Sequence, residues 1–251
     1  MHNKSDILRI VKEQLALEYN CNPADLAGTQ NHITTVADSP QRRWFGPEPN
    51  FFKMMTMGQN AVLSTDLALH PLLAELVADK AGHWLFEYEN LKQLDEKLAP
   101  YGKSIKGTYH MFLPATMEPV VEPPVAGLTI KWLEEESDIR PHCGDSRFLN
   151  ALCRAWEPRR PDVLAVTAWV GDEIVGMAGC SADTPLLWQI GIDVAPGHRS
   201  KGLGAALVIL LKNEVIRRGK IPYYGTSLSN LHSWRIALRS GFTPAWVETS
   251  A

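Results

Sequence analysis

The chain has 251 residues, enough for one large or two ordinary domains, which excludes single-motif peptides and long repeat arrays. Its 45% hydrophobic and 21% charged residues are those of an ordinary globular protein with ample material for a core, which excludes a disordered chain. A formal net charge of −3 leaves no excess of Lys and Arg to neutralise phosphates, and the longest apolar run, Ala205 to Leu211, is far short of a bilayer span, so neither nucleic acid nor membrane is an expected partner.

The first predicted element is a helix from Ser5 to Tyr19, with Ile7, Leu8, Val11, Leu15 and Ala16 at helical spacing and Ser5 placed to cap it. Short apolar runs follow at Ile33 to Val36 and Phe51 to Leu63, the second read as a strand. Then come a helix from Leu67 to Ala81, a strand from Trp84 to Tyr88, a helix from Glu89 to Ala99 and a strand from Gly107 to Leu113. Pro114, Pro119, Pro123 and Pro124 disfavour helix and central strand alike and place a domain boundary there, giving domains 1–124 and 125–251. Beyond it the pattern predicts a strand from Leu128 to Leu133, a helix from Asp145 to Trp156, and a hairpin of Val163 to Val170 and Glu173 to Ala182 turning at Gly171-Asp172. A strand from Leu186 to Val194, an amphipathic helix from Ser200 to Arg217, a strand from Tyr223 to Ser227, a helix from Asn230 to Ser240 and a strand from Phe242 to Glu248 complete the chain. This order predicts an α/β fold with a mixed sheet. The first half is α/β as well and repeats the strand-helix-strand order of the second in degraded form.

Cys21, Cys143, Cys153 and Cys180 show neither CxxC spacing nor the density of a disulfide scaffold, and the N-terminus has no uninterrupted apolar leader; reduced thiols and a cytoplasmic location are expected. His142-Cys143 matches no common zinc spacing, so no metal is implied. Trp132, Trp156, Trp169 and Trp188 are expected in the core rather than in an acceptor pocket. Glu134-Glu135-Glu136 either attract a cationic amine or form a solvated loop.

The segment that carries chemistry runs Ile192-Asp193-Val194-Ala195-Pro196-Gly197-His198-Arg199-Ser200-Lys201-Gly202-Leu203-Gly204, a strand passing through a tight turn into a helix. The first N–H groups of a helix lack intrahelical partners and carry partial positive charge, so such a turn suits an anion; glycines admit close approach, and Arg199 and Lys201 add cationic donors. The P-loop and dinucleotide patterns do not fit. Arg199-x-x-Gly202-x-Gly204 does match the Q/R-x-x-G-x-G/A signature of the GNAT superfamily of acyl-CoA-dependent N-acyltransferases, and the chain from about Gly127 to Ala251 resembles that family. Val194-x-Pro196 before the loop, and Asn230 followed by Gly241-Phe242, extend the resemblance.

The resemblance implies a GNAT-like fold for the second half, in which the fourth and fifth strands splay apart around the pantetheine arm of acetyl-CoA, the co-substrate. It implies backbone contacts from Ile192 and Val194, pyrophosphate contacts from Arg199, Ser200, Lys201, Gly202, Leu203 and Gly204, and a side-chain contact from Asn230 with Ser233 beside it. Acetyl transfer to an amine needs a neutral nucleophile and a proton for the departing thiolate. The family's usual tyrosine position holds Ala237 and its frequent carboxylate position Gln189. The acid must therefore come from Tyr223, Tyr224, Ser227 or Ser233, and the nearest carboxylate for a base is Asp193, which serves equally well as a hydrogen-bonded strand-end residue. Strand alternation puts Tyr224 and Thr226 on one face and Tyr223 and Ser227 on the other.

The expected activity is acetyl transfer from acetyl-CoA to a primary amine in a ternary complex, with an acyl-CoA-binding sensor lacking turnover as the alternative. The family's sheet receives two strands after its last helix, and here there is length for one. The N-terminal half, or the second subunit of a homodimer, is expected to cover the edge left open.

Overall fold

The structure, a computed structural model, describes residues 4–47, 49–125, 127–199 and 201–251. In chain order its helices and strands are α1 (Lys4–Tyr19), β1 (His32–Thr35), β2 (Phe52–Thr56), β3 (Ala61–Thr65), α2 (His70–Val77), α3 (Tyr88–Leu98), β4 (Gly107–Pro114), β5 (Thr129–Leu133), α4 (Glu136–Ile139), β6 (Asp162–Val170), β7 (Glu173–Ala182), β8 (Leu187–Val194), α5 (Leu203–Arg217), β9 (Ile221–Ser227), α6 (Leu231–Arg239) and β10 (Phe242–Ser250). They form two compact units. The N-terminal unit holds Ser5–Met111, Ser227–Ser229 and Ala245–Ala251; the C-terminal unit holds Phe112–Thr226 and Asn230–Pro244 with Lys4.

In the N-terminal unit β2 and β3 form an antiparallel hairpin, β1 lies parallel to β3, and the end of β10 pairs antiparallel with β2, Val247 opposite Thr56 and Ser250 opposite Lys53. The last strand is therefore not a free edge. Phe52, Met54 and Leu63 meet Leu73 of α2 and Leu94 and Leu98 of α3 in one core cluster. Elsewhere in this unit the buried Arg43 guanidinium bridges Glu18 at 2.9 Å and Glu248 at 2.8 Å. Paired on both sides in this way, the charge tolerates burial that would be prohibitive for a lone ion.

The C-terminal unit is a sheet in the order β10-β4-β9-β8-β7-β6-β5. It is antiparallel from β5 to β8 and parallel between β8 and β9. The end of β4, from upstream in the chain, stands between β9 and the start of β10, where the Ala115 N–H donates to Gly241 O at 2.9 Å. One face is covered by α5 and α6: Leu203, Leu207, Leu211 and Val215 pack with Val166, Val175, Ile190, Tyr224 and Phe242. The other face is covered by residues 136–162, whose Ile139, Phe148, Ala151 and Leu152 pack on Ala165 and Met177. The proline-rich stretch is fastened to α5 by Asn213, which accepts from Val120 N at 3.0 Å and donates to Val120 O at 2.8 Å.

Three expected elements differ. Phe51 to Leu63 is not one strand but the β2–β3 hairpin. Trp84 to Tyr88 is no strand: Gly82–Phe86 form a 3-10 turn in which only Leu85 among the three apolar side chains is buried, while Trp84 is 55% exposed. The strand-helix-strand-helix-strand order expected of the first half is lost at that point. Asp145 to Trp156 is a run of turns rather than a helix, because its apolar side chains are held by contacts from the sheet beneath, and the one helical turn nearby is α4.

Candidate active site

Parallel pairing of β8 with β9 runs from Leu187 opposite Ile221 to Ile190 opposite Tyr224 and ends there. Both strands continue, β8 through Gly191–Val194 and β9 through Gly225–Ser227, so their ends diverge and leave a wedge with Ile190 and Tyr224 at its apex. On its far side β8 is paired with β7 without a break, from Trp188 opposite Ala182 to Val194 opposite Gly176, so that edge is held while the other is open.

From the end of β8 the chain makes a 3-10 turn at Pro196–His198 and enters α5 through Gly202. Gly202 has φ +83°, a left-handed conformation that glycine adopts without strain, and a Cβ there would meet nothing within 4 Å. Gly202 is solvent-exposed and no described side chain caps the helix, so the first-turn N–H groups of α5 are open donors at the positive end of its dipole. Gly204 serves differently: a Cβ there would stand 3.0 Å from Ile236 Cδ1 and 3.6 Å from Val194 Cγ2, so this glycine lets α5 pack closely on α6 and β8. Leu203 is buried in the core. Arg199 Nε donates to Val194 O at 2.8 Å, folding the loop back on the strand end, and Lys201 Nζ approaches Gly197 O at 3.4 Å; both side chains are exposed. Ser200 lies outside the described residues.

Tyr224 and Ser233 come together at the apex of the wedge, with Tyr224 Oη and Ser233 Oγ 2.6 Å apart. Burial pushes the Tyr224 phenol above its ordinary value, an effect that the hydrogen bond to Ser233 opposes and the nearby Asp193 carboxylate reinforces. Asn230 is the N-cap of α6 and accepts from Ser233 N at 3.1 Å, so the side chain expected at the co-substrate also fixes Ser233. Ser227 is the exposed last residue of β9. Tyr223 lies on the opposite face from Tyr224, as alternation requires.

Residues 129–242 match the family model of the acetyltransferase (GNAT) family. This stretch is a GNAT acetyltransferase domain. The N-terminal region lies outside the match. Among solved structures the chain is similar to a GCN5-related N-acetyltransferase-like protein from Streptococcus suis 89/1591, at 15% identity and TM-score 0.46 over 65% of this chain and 69% of that one. It is similar also to GCN5-related N-acetyltransferases from Kribbella flavida, at 18% identity and TM-score 0.44 over 62% of this chain and 63% of that one, and from Sphaerobacter thermophilus, at 16% identity and TM-score 0.45 over 63% and 55%. The chain thus spans less than two thirds of the Kribbella and Sphaerobacter proteins. No curated protein matches it.

On the face of the GNAT domain opposite α5 and α6, Asp193 is fully engaged. Its carboxylate accepts from Asn150 N at 2.7 Å, Asn150 Nδ2 at 2.6 Å and Ala151 N at 3.0 Å. The same stretch lies flat on two paired strand glycines: a Cβ on Gly191 would stand 1.7 Å from Asn150 O, and one on Gly179 would stand 2.3 Å from Ala151 O. Residues 144–152 are therefore a strap seated on β7 and β8 and tied down by Asp193. Gln189, on the same face, belongs to a polar cluster: Arg160 donates to Gln189 Oε1 at 2.6 Å and to Asp183 Oδ1 at 2.7 Å, and Tyr223 Oη donates to the buried Asp183.

Sequence reasoning missed the strap and this cluster, since the partners lie far apart in the chain; the isolated strand glycines were the available signal. Ala237 is buried among Phe112, Tyr224 and Phe242. Glu134 is bound to Arg218 at 2.7 Å and Glu136 to Arg140 at 3.0 Å. Trp132 and Trp188 pack against one core cluster and Trp156 and Trp169 against another.

Proposed function

We propose that the GNAT domain transfers an acetyl group from acetyl-CoA to a primary amine by direct attack in a ternary complex. The observation that carries this reading is the junction of the β8–β9 wedge with the N-terminus of α5, which no side chain among the described residues caps. The wedge offers unpaired strand edge to a narrow, amide-bearing chain, and the helix end offers N–H donors to a pyrophosphate. Gly202 is open to solvent on that approach, so the residues present fit the co-substrate. Ile192 and Val194 line the β8 side, Arg199, Lys201, Gly202, Leu203 and Gly204 belong to the proposed phosphate turn, and Asn230 and Ser233 stand at the start of α6.

Acetyl-CoA supplies a thioester-activated acyl group. Tyr224 keeps its proton at neutral pH, because burial disfavours the phenolate, and holds it at Oη beside Ser233 Oγ for donation to the leaving sulfur. Asp193, with both oxygens occupied by N–H donors, acts as a positioning residue that seats the strap beside the wedge, and the amine loses its proton to water.

The test is calorimetric titration of acetyl-CoA followed by a thiol assay of CoA release over an amine panel, with wild type and Tyr224→Phe. Amine-dependent release by wild type, reduced at least about tenfold in kcat with binding retained in Tyr224→Phe, is the expected result. Binding without amine-dependent release would establish the sensor alternative, and no binding would end the transferase reading.

A further inference from the structure

The strap has a neck. Cys143 precedes it and Cys153 follows it, the Gly144 N–H donates to Cys153 O at 2.9 Å across the opening, and the two Sγ atoms stand 2.9 Å apart. Both thiols are free and only partly buried, so a small reagent reaches them. The neck is thus closed by backbone already, and a covalent link would need little further movement of the chain.

A third group completes the cluster. Asp162, at the start of β6, is buried; its Oδ2 accepts from Cys153 N at 2.7 Å and lies 4.0 Å from Cys143 Sγ. The three side chains place their ligand-type atoms within 4.8 Å of one another, which raises the question of a metal. The sulfur separation decides against one. Two thiolates on a tetrahedral zinc, each at about 2.3 Å, stand roughly 3.8 Å apart, whereas a disulfide brings sulfurs to about 2.05 Å. A contact of 2.9 Å is too close for a shared cation and lies on the path to a bond.

We propose that Cys143 and Cys153 are a reversible thiol-oxidation site whose disulfide clasps the neck of the strap over β7 and β8. The oxidant is a low-molecular-weight disulfide. Cys143, as thiolate, attacks one of its sulfurs, forming a mixed disulfide and expelling one small thiolate. Cys153 then attacks Cys143 Sγ, forming the internal disulfide and expelling the second. The protein loses two electrons and two protons, and the small disulfide becomes two thiols. Asp162 is the nearest proton acceptor for the pair. Burial and this carboxylate hold both thiols above their ordinary range, so the exchange is slow at neutral pH and quickens as the medium becomes alkaline. The proposal goes beyond acyl transfer and does not rest on it.

The experiment equilibrates the full chain in oxidised and reduced glutathione at varied ratio, quenches with an alkylating agent under denaturing conditions and measures intact mass and peptide map. The expected result is loss of two of the four alkylation sites, mapping to one Cys143–Cys153 linked peptide in monomeric protein, reversed by dithiothreitol, with an increased melting temperature and slower proteolysis at 144–152. Cys143→Ser and Cys153→Ser each abolish the linked peptide, while wild type alone, read by mass, keeps the test valid if either variant misfolds. Four alkylated thiols at every ratio, a link involving Cys21 or a second chain, or one equivalent of zinc that blocks alkylation until chelated would each overturn it.

Discussion

Replacing Gly191 by alanine tests how the strap is seated. The new Cβ would stand 1.7 Å from Asn150 O and 2.7 Å from its carbonyl carbon, both backbone atoms that no rotamer change can remove. Reaching ordinary contact requires the strap to rise by about 1.5–2 Å. Such a shift breaks the hydrogen bonds from Asn150 N, Asn150 Nδ2 and Ala151 N to Asp193, now 2.7, 2.6 and 3.0 Å. At about 0.5–1.5 kcal/mol net for each, and more where the acceptor is charged, the loss comes to about 2–4 kcal/mol. Gly197→Ala is the matched control: a Cβ there meets nothing within 4 Å, so the change is expected to lie within about 0.5 kcal/mol of wild type. Urea unfolding of the two variants reads the difference directly, and limited proteolysis locates it at residues 144–152. Equal stability of Gly191→Ala and Gly197→Ala would refute the seating of the strap on β8.

Gly202 is glycine for conformation rather than space, so Gly202→Ala is expected to lower stability by about 1–2 kcal/mol and Gly202→Asn by less, since Asn tolerates the left-handed region; equal losses in thermal unfolding would contradict this. Asp193→Asn turns an amide N–H toward donors of the strap and is expected to lower stability by about 1–3 kcal/mol while lowering kcat less than about tenfold; a loss of a hundredfold or more would make Asp193 the base instead. Lys212 is buried, donates to Ser240 O at 2.6 Å, and is held down by burial to about 8 from the ordinary 10.5. Between those values the unfolded chain binds a proton that the folded chain has lost, so the cost is full below pH 8 and relieved as pH rises toward 10.5. Denaturation of wild type and Lys212→Met across that window should show wild type gaining on the variant with rising pH, and a constant difference would count against it.

What was readable in advance is what local pattern controls. The β6–β7 hairpin is announced by two apolar runs joined at Gly171-Asp172, and α5 by Leu203, Leu207, Leu211 and Val215 on one stripe. The turn from β8 into α5 is readable for the same reason, since Arg199, Lys201 and the glycine that shapes it are contiguous. Trp84-Leu85-Phe86 misled because a short apolar run is equally compatible with a strand and a buried turn, and the arbiter is distant: a Cβ on Gly82 would fall 2.0 Å from Asn60 C, so the chain there is laid against another segment. Residues 145–156 misled in the same way. Phe148, Ala151 and Leu152 have helix-like spacing, yet Asp193 takes the N–H of Asn150 and shares that of Ala151 with Phe148 O, so the local bonds stop at a single turn. The acceptor 42 residues downstream from Ala151 can reach these donors because Gly179 and Gly191 clear the floor on which the strap rests. The opposed pair of strand glycines is thus the sequence trace of the strap, and Asp193 is explained by what those glycines admit before any proton is assigned to it.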